Sequence, residues 1–561
     1  MLNKTVEKTI SLFLFIGVPF TTLFLVTDSV TDPVNVTKLF AAGCVSLGVF
    51  SIAFVYGLKE LWATSKAVVI VSSLFILAGL NSVLSSEAPR VQNLYGVFGR
   101  QTGFVTYFLL TLVALSATLL RSQKSFDRIV WALLFSGTVN VLYCGWALAF
   151  GDFISWNNPY GNILGLFGNP DFISAFLGMF IAGTLGYAFS GKHSWVYRGG
   201  FIALSIIALY EIKRSHAIQG LAVTGAGIAI VGFYLVRGKT KRALFSSIYV
   251  ALVGIAGAFA LGGALQKGPL TSLIYKTSVS LRGQYWAAGM KMGSDHPFTG
   301  VGMDSYGDWY RRARSNYAAT VLPGPRTVTN ASHNVVIDIF AYGGYPLLLS
   351  YLAILLIGAW AVVRVTLRKR EFDGTFVALV AVWATYNLQS VISINQVGLA
   401  IWGWVSVGAL VAYEFATRPA SESSEKPKSF KQKELIFSPQ LVGGIGVVIG
   451  ALIAVPPMAA DAKWRSALKS QNVQQVEAAL TPTYLAPRDS QRLAQAVLLF
   501  ENSKLYDQAY KYALEGVKFN PNYFDAWRVL YSISKSSQTE KDEALTNMKR
   551  LDPFNPDVLE Q

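Results

Sequence analysis

The stretch LFSSIYVALVGIAGAFALGGA, residues 244–264, carries no charged side chain and is long enough to cross a bilayer as one helix. A hydrocarbon core takes roughly 20 apolar residues of helix. Working outward, the same pattern predicts spans over 8–27, 37–57, 66–85, 103–120, 127–150, 170–190, 198–212 and 216–236 before it. After it come 335–363, 374–394, 397–416 and 438–458. The first span contains Pro19 and lacks a small-residue cleavage site before Asp28, so it reads as a retained helix and not a signal peptide. The fold class is all-α: a polytopic helical membrane protein with about 12 core spans plus one, followed by a small helical domain.

Composition agrees. Of 561 residues, 52% are hydrophobic and 14% charged, with mean hydropathy +0.41. A soluble domain carries about 25% charge. The net charge of +16 would suit a nucleic acid, but Lys and Arg sit in short clusters between apolar runs, as membrane loops require. No nucleic-acid partner is expected. Cys44 and Cys144 both fall inside apolar runs, which argues against a disulfide framework.

The connecting segments alternate in charge. Lys4 and Lys8 share one side with Lys59 and Lys66, with Arg121, Lys124 and Arg128, with Lys192 and Arg198, and with 237–242, 364–370 and 418–433. The positive-inside rule places that side in the cytoplasm, with the N-terminus. The expected location is the bacterial inner (plasma) membrane. The opposite, extracytoplasmic side has the longest polar segment, 265–332, with eight Lys or Arg against three Asp. Arg100, Lys213 and Arg214 fall on the same side. Cations held there at membrane depth cost energy. Any one of them could snorkel to headgroups; together they point to an anionic substrate.

Four parts follow: a membrane domain over 1–416, a polar Ser- and Lys-rich cytoplasmic linker over 417–437, an additional span at 438–458, and an extracytoplasmic domain over 461–561. In the last, FNPNYFDAWRVL (519–530) and LDPFNPDVLEQ (551–561) look like repeat junctions. Pro521 and Pro553 lie near the 34-residue tetratricopeptide period, and KLYDQAYKYALEGVKFNP fits the second helix of such a repeat. Such a module binds a protein partner, orients a neighbour, or simply caps the fold.

Loops as long as 265–332 are uncommon unless functional. Within it, SLRGQYWAAGMKMGSDHPFTGVGMDSYGDWYRRARSNY (280–317) predicts a helix with Arg282 and Trp286 on one face. A second helix follows the break at His296, Pro297 and Gly300, with Asp308 and Arg312 four apart and Arg311 and Arg314 three apart. Guanidinium groups grip phosphates with paired hydrogen bonds. Trp286, Tyr306, Trp309 and Tyr310 offer flat faces for sugars or the membrane interface. Asp304 and Asp308 stand near three arginines, which favours ion pairing over a metal site. The segment ends in VTNASHNVVIDIFAYGGYPLLLSYL (328–352). His333 and Asn334 lie at its junction with the next span, where an imidazole could take a proton from an attacking hydroxyl. The bland reading of that pair is a helix cap or a packed polar contact.

The order Arg–x3–Trp, HPFTGVGMDSYGDWY, NASHNVVIDIFAYGGYPLLL resembles the periplasmic loop of the O-antigen ligase and polymerase superfamily, over about 270–350. NLYGVFGRQTGFVTYFLL (93–110) resembles an outer loop of the repeat-bearing branch, and EIKRSHAIQGL (211–221) matches the position of an outer-face arginine. The match is looser there, with Lys213 and Arg214 ahead of Ser215 and Gln219. The resemblance implies an inverting glycosyl transfer without metal or other cofactor, from a glycan on undecaprenyl diphosphate to an acceptor hydroxyl. Arg282 and Arg214 would hold the diphosphate, His333 would activate or orient the acceptor, and Asn334 would hold the junction. Arg100, Lys213, Trp286, Arg311, Arg312 and Arg314 would contact donor or acceptor. Ligation to a lipid core, polymerisation and transfer to protein share this donor chemistry and differ in acceptor. A polyprenyl-glycan transporter is the reading from another class, although no matched pair of broken helices supports it. A membrane-anchored scaffold would leave the outer cations unexplained.

Overall fold

A chain in lipid must satisfy its backbone N–H and C=O groups internally, which makes each apolar run a helix. The computed structural model describes residues 2–156, 158, 161–240, 242–419 and 436–560. The membrane part opens with α1 (Lys4–Leu23), α2 (Asn35–Thr64), α3 (Lys66–Ser85), the short α4 (Arg90–Tyr95), α5 (Phe104–Ala117) and α6 (Gln123–Phe150). Then come α7 (Pro170–Ala188), α8 (Trp195–Arg214), α9 (Ile218–Thr240) and α10 (Ala243–Ala264). The polar segment holds α11 (Thr271–Ile274), α12 (Thr277–Asp295), α13 (Tyr306–Ala313) and α14 (Asn316–Thr320). The chain continues through α15 (Val335–Arg368), α16 (Gly374–Ile392), α17 (Val397–Ala416) and α18 (Pro439–Ser470). It closes with α19 (Val473–Leu480), α20 (Ser490–Asn502), α21 (Tyr506–Phe519), α22 (Phe524–Ser532), α23 (Gln538–Leu551) and α24 (Pro556–Leu559).

The chain is thus an all-helical, multi-pass membrane protein. Among the described residues, 12 helices are long and apolar enough to cross a membrane. The thirteenth expected span, 103–120, is the 14-residue α5. At 1.5 Å per residue it measures about 21 Å, against roughly 30 Å of hydrocarbon. The chain enters it through the loop 96–103, which carries Arg100. Most of the cytoplasmic linker expected over 417–437, residues 420–435, lies outside the described residues.

One end of the bundle gathers the loops. Asn35 Nδ2 donates to the Gly99 carbonyl (3.0 Å), Asn81 Nδ2 to Phe298 (3.2 Å) and Lys276 Nζ to His216 (2.9 Å). At the other, basic end, Glu7 accepts from the Arg121 and Ser122 amides (3.0 and 2.8 Å), and Arg368 donates to Glu414 (3.0 Å).

The added helix α18 is no peripheral anchor. It crosses α2 so closely that a Cβ at Gly450 would lie 2.0 Å from the Gly43 carbonyl oxygen, the small-residue contact that joins helices in lipid. Its span was expected to end at 458, but the helix runs on through DAKWRSALKS to Ser470. Hydropathy falls there while helix propensity does not, and Trp464 and Ala467 enter the core of the C-terminal unit with Leu493, Phe500, Trp527 and Leu551.

The helix α15 breaks at Gly343–Gly344, where Gly344 takes φ +62°. The break receives HPFTGVG: Val301 N–H donates to Ala341 O (2.8 Å), Gly302 N–H to Tyr342 O (3.2 Å) and Tyr345 N–H to Pro297 O (2.8 Å). A Cβ at Gly300 would meet the Tyr342 carbonyl carbon at 2.2 Å. Glycine is needed on both sides of this contact.

Candidate active site at the loop end

Small residues of α12 pack against the first turns of α15. A Cβ at Gly289 would lie 2.6 Å from Ile337, and one at Gly293 2.5 Å from Phe340. This close approach sets Arg282 and Tyr285, three residues apart on α12, beside the start of α15. There the turn 332–334 is locked from within. The Ser332 amide donates to Asp338 Oδ1 (2.6 Å) and its hydroxyl to the Asn334 carbonyl (2.9 Å). Asn334 caps α15, its Oδ1 accepting from the Val336 and Ile337 amides (3.0 and 3.3 Å). Between them His333 adopts φ +60°, a left-handed conformation uncommon for a residue with a Cβ and the kind of strain that clusters at functional sites. Its ring lies 5.7 Å from that of Tyr285, at 29°.

Two arginines act on this imidazole. The Arg100 loop is anchored by the buried Asp304, which accepts from the Val97 and Thr102 amides (2.9 and 3.3 Å) and the Tyr342 hydroxyl (3.2 Å). Arg100 Nε then donates to Asn330 Oδ1 (2.9 Å), three residues before His333. The half-buried Arg282 has no hydrogen bond or ion pair among the described residues; its acidic neighbour is Asp171, on the first turn of α7. Burial lowers the pKa of both guanidinium groups, but an ordinary value near 12.5 or above keeps them charged. The His333 pKa falls to about 4, through burial first and then the charges of Arg282 and Arg100. Burial raises the Asp304 pKa to about 6 against its hydrogen bonds and Arg100. Lys213 and Arg214 stand exposed at the end of α8, and the Lys276 bond to His216 ties that turn to the start of α12.

The site therefore offers a neutral imidazole in the field of two guanidinium groups. Residues 199–352 match the family model described as O-antigen ligase. Over that range the chain is similar to the O-antigen ligase domain. No curated protein matches the chain. The ligase domain supports a membrane glycan-transferase-like function and lipid-linked glycan substrates. It takes in Arg214, Arg282 and His333, while Arg100 and the C-terminal unit lie outside it.

The remaining sequence candidates divide. Arg311 and Arg314 are taken up elsewhere: Arg314 Nη2 meets Asp552 Oδ1 at 2.7 Å with both side chains fully buried, and Arg311 Nη1 meets Asp552 Oδ2 at 2.8 Å. Arg312 stacks on Trp309 (3.6 Å) and faces Glu87 at 3.9 Å. Asp308, expected to pair with Arg312, accepts instead from Gln92 and Asn520 (3.0 and 3.2 Å). Tyr306 and Tyr310 are buried, so neither ring offers a face to a sugar. Trp286 is half-buried one turn beyond Arg282. Sequence reasoning passed over Tyr285, Asn330, Ser332, Asp338 and Asp171. Two signals were present: Tyr285 is one helical turn from Arg282, and Asp338 stands in the first turn after the Asn334 cap.

Proposed function

We propose that the protein transfers a glycan from undecaprenyl diphosphate to an acceptor hydroxyl on the extracytoplasmic face, the loop end of the bundle. The acceptor oxygen attacks the anomeric carbon from the face opposite the diphosphate, inverting it. The new C–O bond forms as the bond to diphosphate breaks. The hydroxyl proton passes to His333, and the lipid diphosphate leaves onto Arg282 and Arg214. Preorganised cations aimed at a charge that grows in the transition state are a strong catalytic device.

The observation that carries this reading is the placement of His333 beside Arg282 and Arg100. Burial first, and then those charges, hold the imidazole neutral and weakly basic. An arriving diphosphate offsets them, which raises the histidine's proton affinity where it is needed. A transporter has no use for this coupling. The helical C-terminal unit, read as a tetratricopeptide-like module, also inclines the assignment toward ligation or transfer to protein over polymerisation.

The test is Arg282→Ala and His333→Ala, made separately and assayed with lipid-linked donor at matched protein levels. Each is expected to lower turnover by about 10²-fold or more, with donor accumulating in the membrane. Full transfer by either variant overturns the reading.

A further inference from the structure

The C-terminal unit reaches the transferase site through one buried carboxylate. Asp552 follows α23, is fully buried, and binds Arg311 of α13 and Arg314 at the C-cap of that helix. Arg314 gives it Nη2 at 2.7 and 2.9 Å and Nε at 3.2 Å. The Nη1 group of the same guanidinium donates to the carbonyls of Gly324, Pro325 and Thr327 (3.3–3.4 Å), in the strand of chain that runs to Asn330 and His333. A second route is packed rings: Tyr310, next to Arg311, lies 5.7 Å from Tyr285, which lies 5.7 Å from His333.

Docking of the unit does not depend on this carboxylate. The continuous α18 enters its core, and buried Asp461 accepts from the Thr31 and Asp32 amides (2.8 Å each). Asn522 Nδ2 also reaches Glu87 (3.0 Å). Two arginines on one carboxylate exceed what attachment needs, and one of them spends its spare donors on the chain leading to His333. We propose that Asp552 is a positioning residue, which through Arg314 fixes the segment 321–334 and so the placement of His333. The C-terminal unit is then a structural part of the active site. This rests on the role given to His333 above.

Asp552→Asn in the full-length protein removes the charge and keeps the shape. Hydrogen exchange over 321–334 is expected to rise by about tenfold or more, while α18 and α20 keep their protection. Turnover is expected to fall by about 10²-fold with donor KM nearly unchanged, as for a misplaced catalytic group. Arg314→Lys, which keeps a charge for Asp552 but loses the fork, should fall between the two and serves if Asp552→Asn does not fold. Unchanged exchange over 321–334 overturns the proposal, and so does raised exchange with wild-type turnover. If the wild-type protein transferred no glycan, the function would fall while the exchange result still decided whether Asp552 holds this segment.

Discussion

Two arginine groups share one polar segment and have opposite fates. Arg282 leaves its guanidinium without a hydrogen bond or ion pair among the described residues, and its charge acts on an imidazole. Arg311 and Arg314, some thirty residues on, converge on Asp552, and Arg314 is fully buried. In sequence both look like anion-binding cations. What separates them is compensation. A charge can recruit a substrate phosphate only if the fold has not already neutralised it, and Asp552 performs that neutralisation from 238 positions away.

The largest effect that sharpens this contrast is on stability. Arg314→Ala leaves Asp552 buried with its best partner gone, and breaking a buried pair on one side costs roughly 3–5 kcal/mol. The unfolding midpoint of the detergent-solubilised protein should drop, and proteolysis should cut the segment 321–334 sooner, since Arg314 Nη1 holds the carbonyls of Gly324, Pro325 and Thr327. Arg282→Ala, made in parallel, should leave both measurements near wild type. If the two variants melted alike, the division between structural and functional arginines would fail.

The next effect is on turnover. Arg282→Lys keeps the charge but loses the planar fork that matches a diphosphate. Transfer is expected to fall by about 10–100-fold. Arg311→Lys can still reach Asp552, and Phe524 still lies beneath it, so its transfer should stay within about threefold of wild type. Equal losses in the two variants would mean that both groups handle substrate.

Much of the fold was legible because lipid imposes a single rule on long apolar runs. The expected spans 66–85 and 397–416 coincide with α3 and α17. The rule gave no warning where helix and membrane part company. α18 continues as an amphipathic helix past Asp461, and α5 stops short of a full crossing. In the site, His333 stood out at the junction of the polar segment with a span, and Arg282 by its spacing from Trp286 and by the resemblance to the ligase and polymerase superfamily. The asymmetry among the arginines did not, because it depends on a pairing between elements that meet only in the folded chain. Asn334 was expected to hold the junction beside the substrate, with a helix cap as the bland reading, and its Oδ1 is occupied by two α15 amides. The sequence of a helix N-cap and that of a binding asparagine are the same.

The smallest effect is the most direct probe of what a free guanidinium does. With its pKa held at about 4, His333 is neutral across the physiological range. Removing one of the two charges that depress it, by Arg282→Gln, should move its titration from about 4 toward the ordinary 6.5, which ¹⁵N-histidine resonances of the full-length protein would follow. Arg311→Gln should leave it unmoved, since the charges acting on the imidazole are those of Arg282 and Arg100. The same depression has a stability consequence of fixed sign. Between about pH 4 and 6.5 the unfolded chain binds a proton that the folded His333 refuses, so this contribution is whole above 6.5 and is lost as the pH falls toward 4. Arg282→Gln narrows that window from its acid side. A His333 titration that ignores Arg282 would place the guanidinium too far from the imidazole to share a substrate with it.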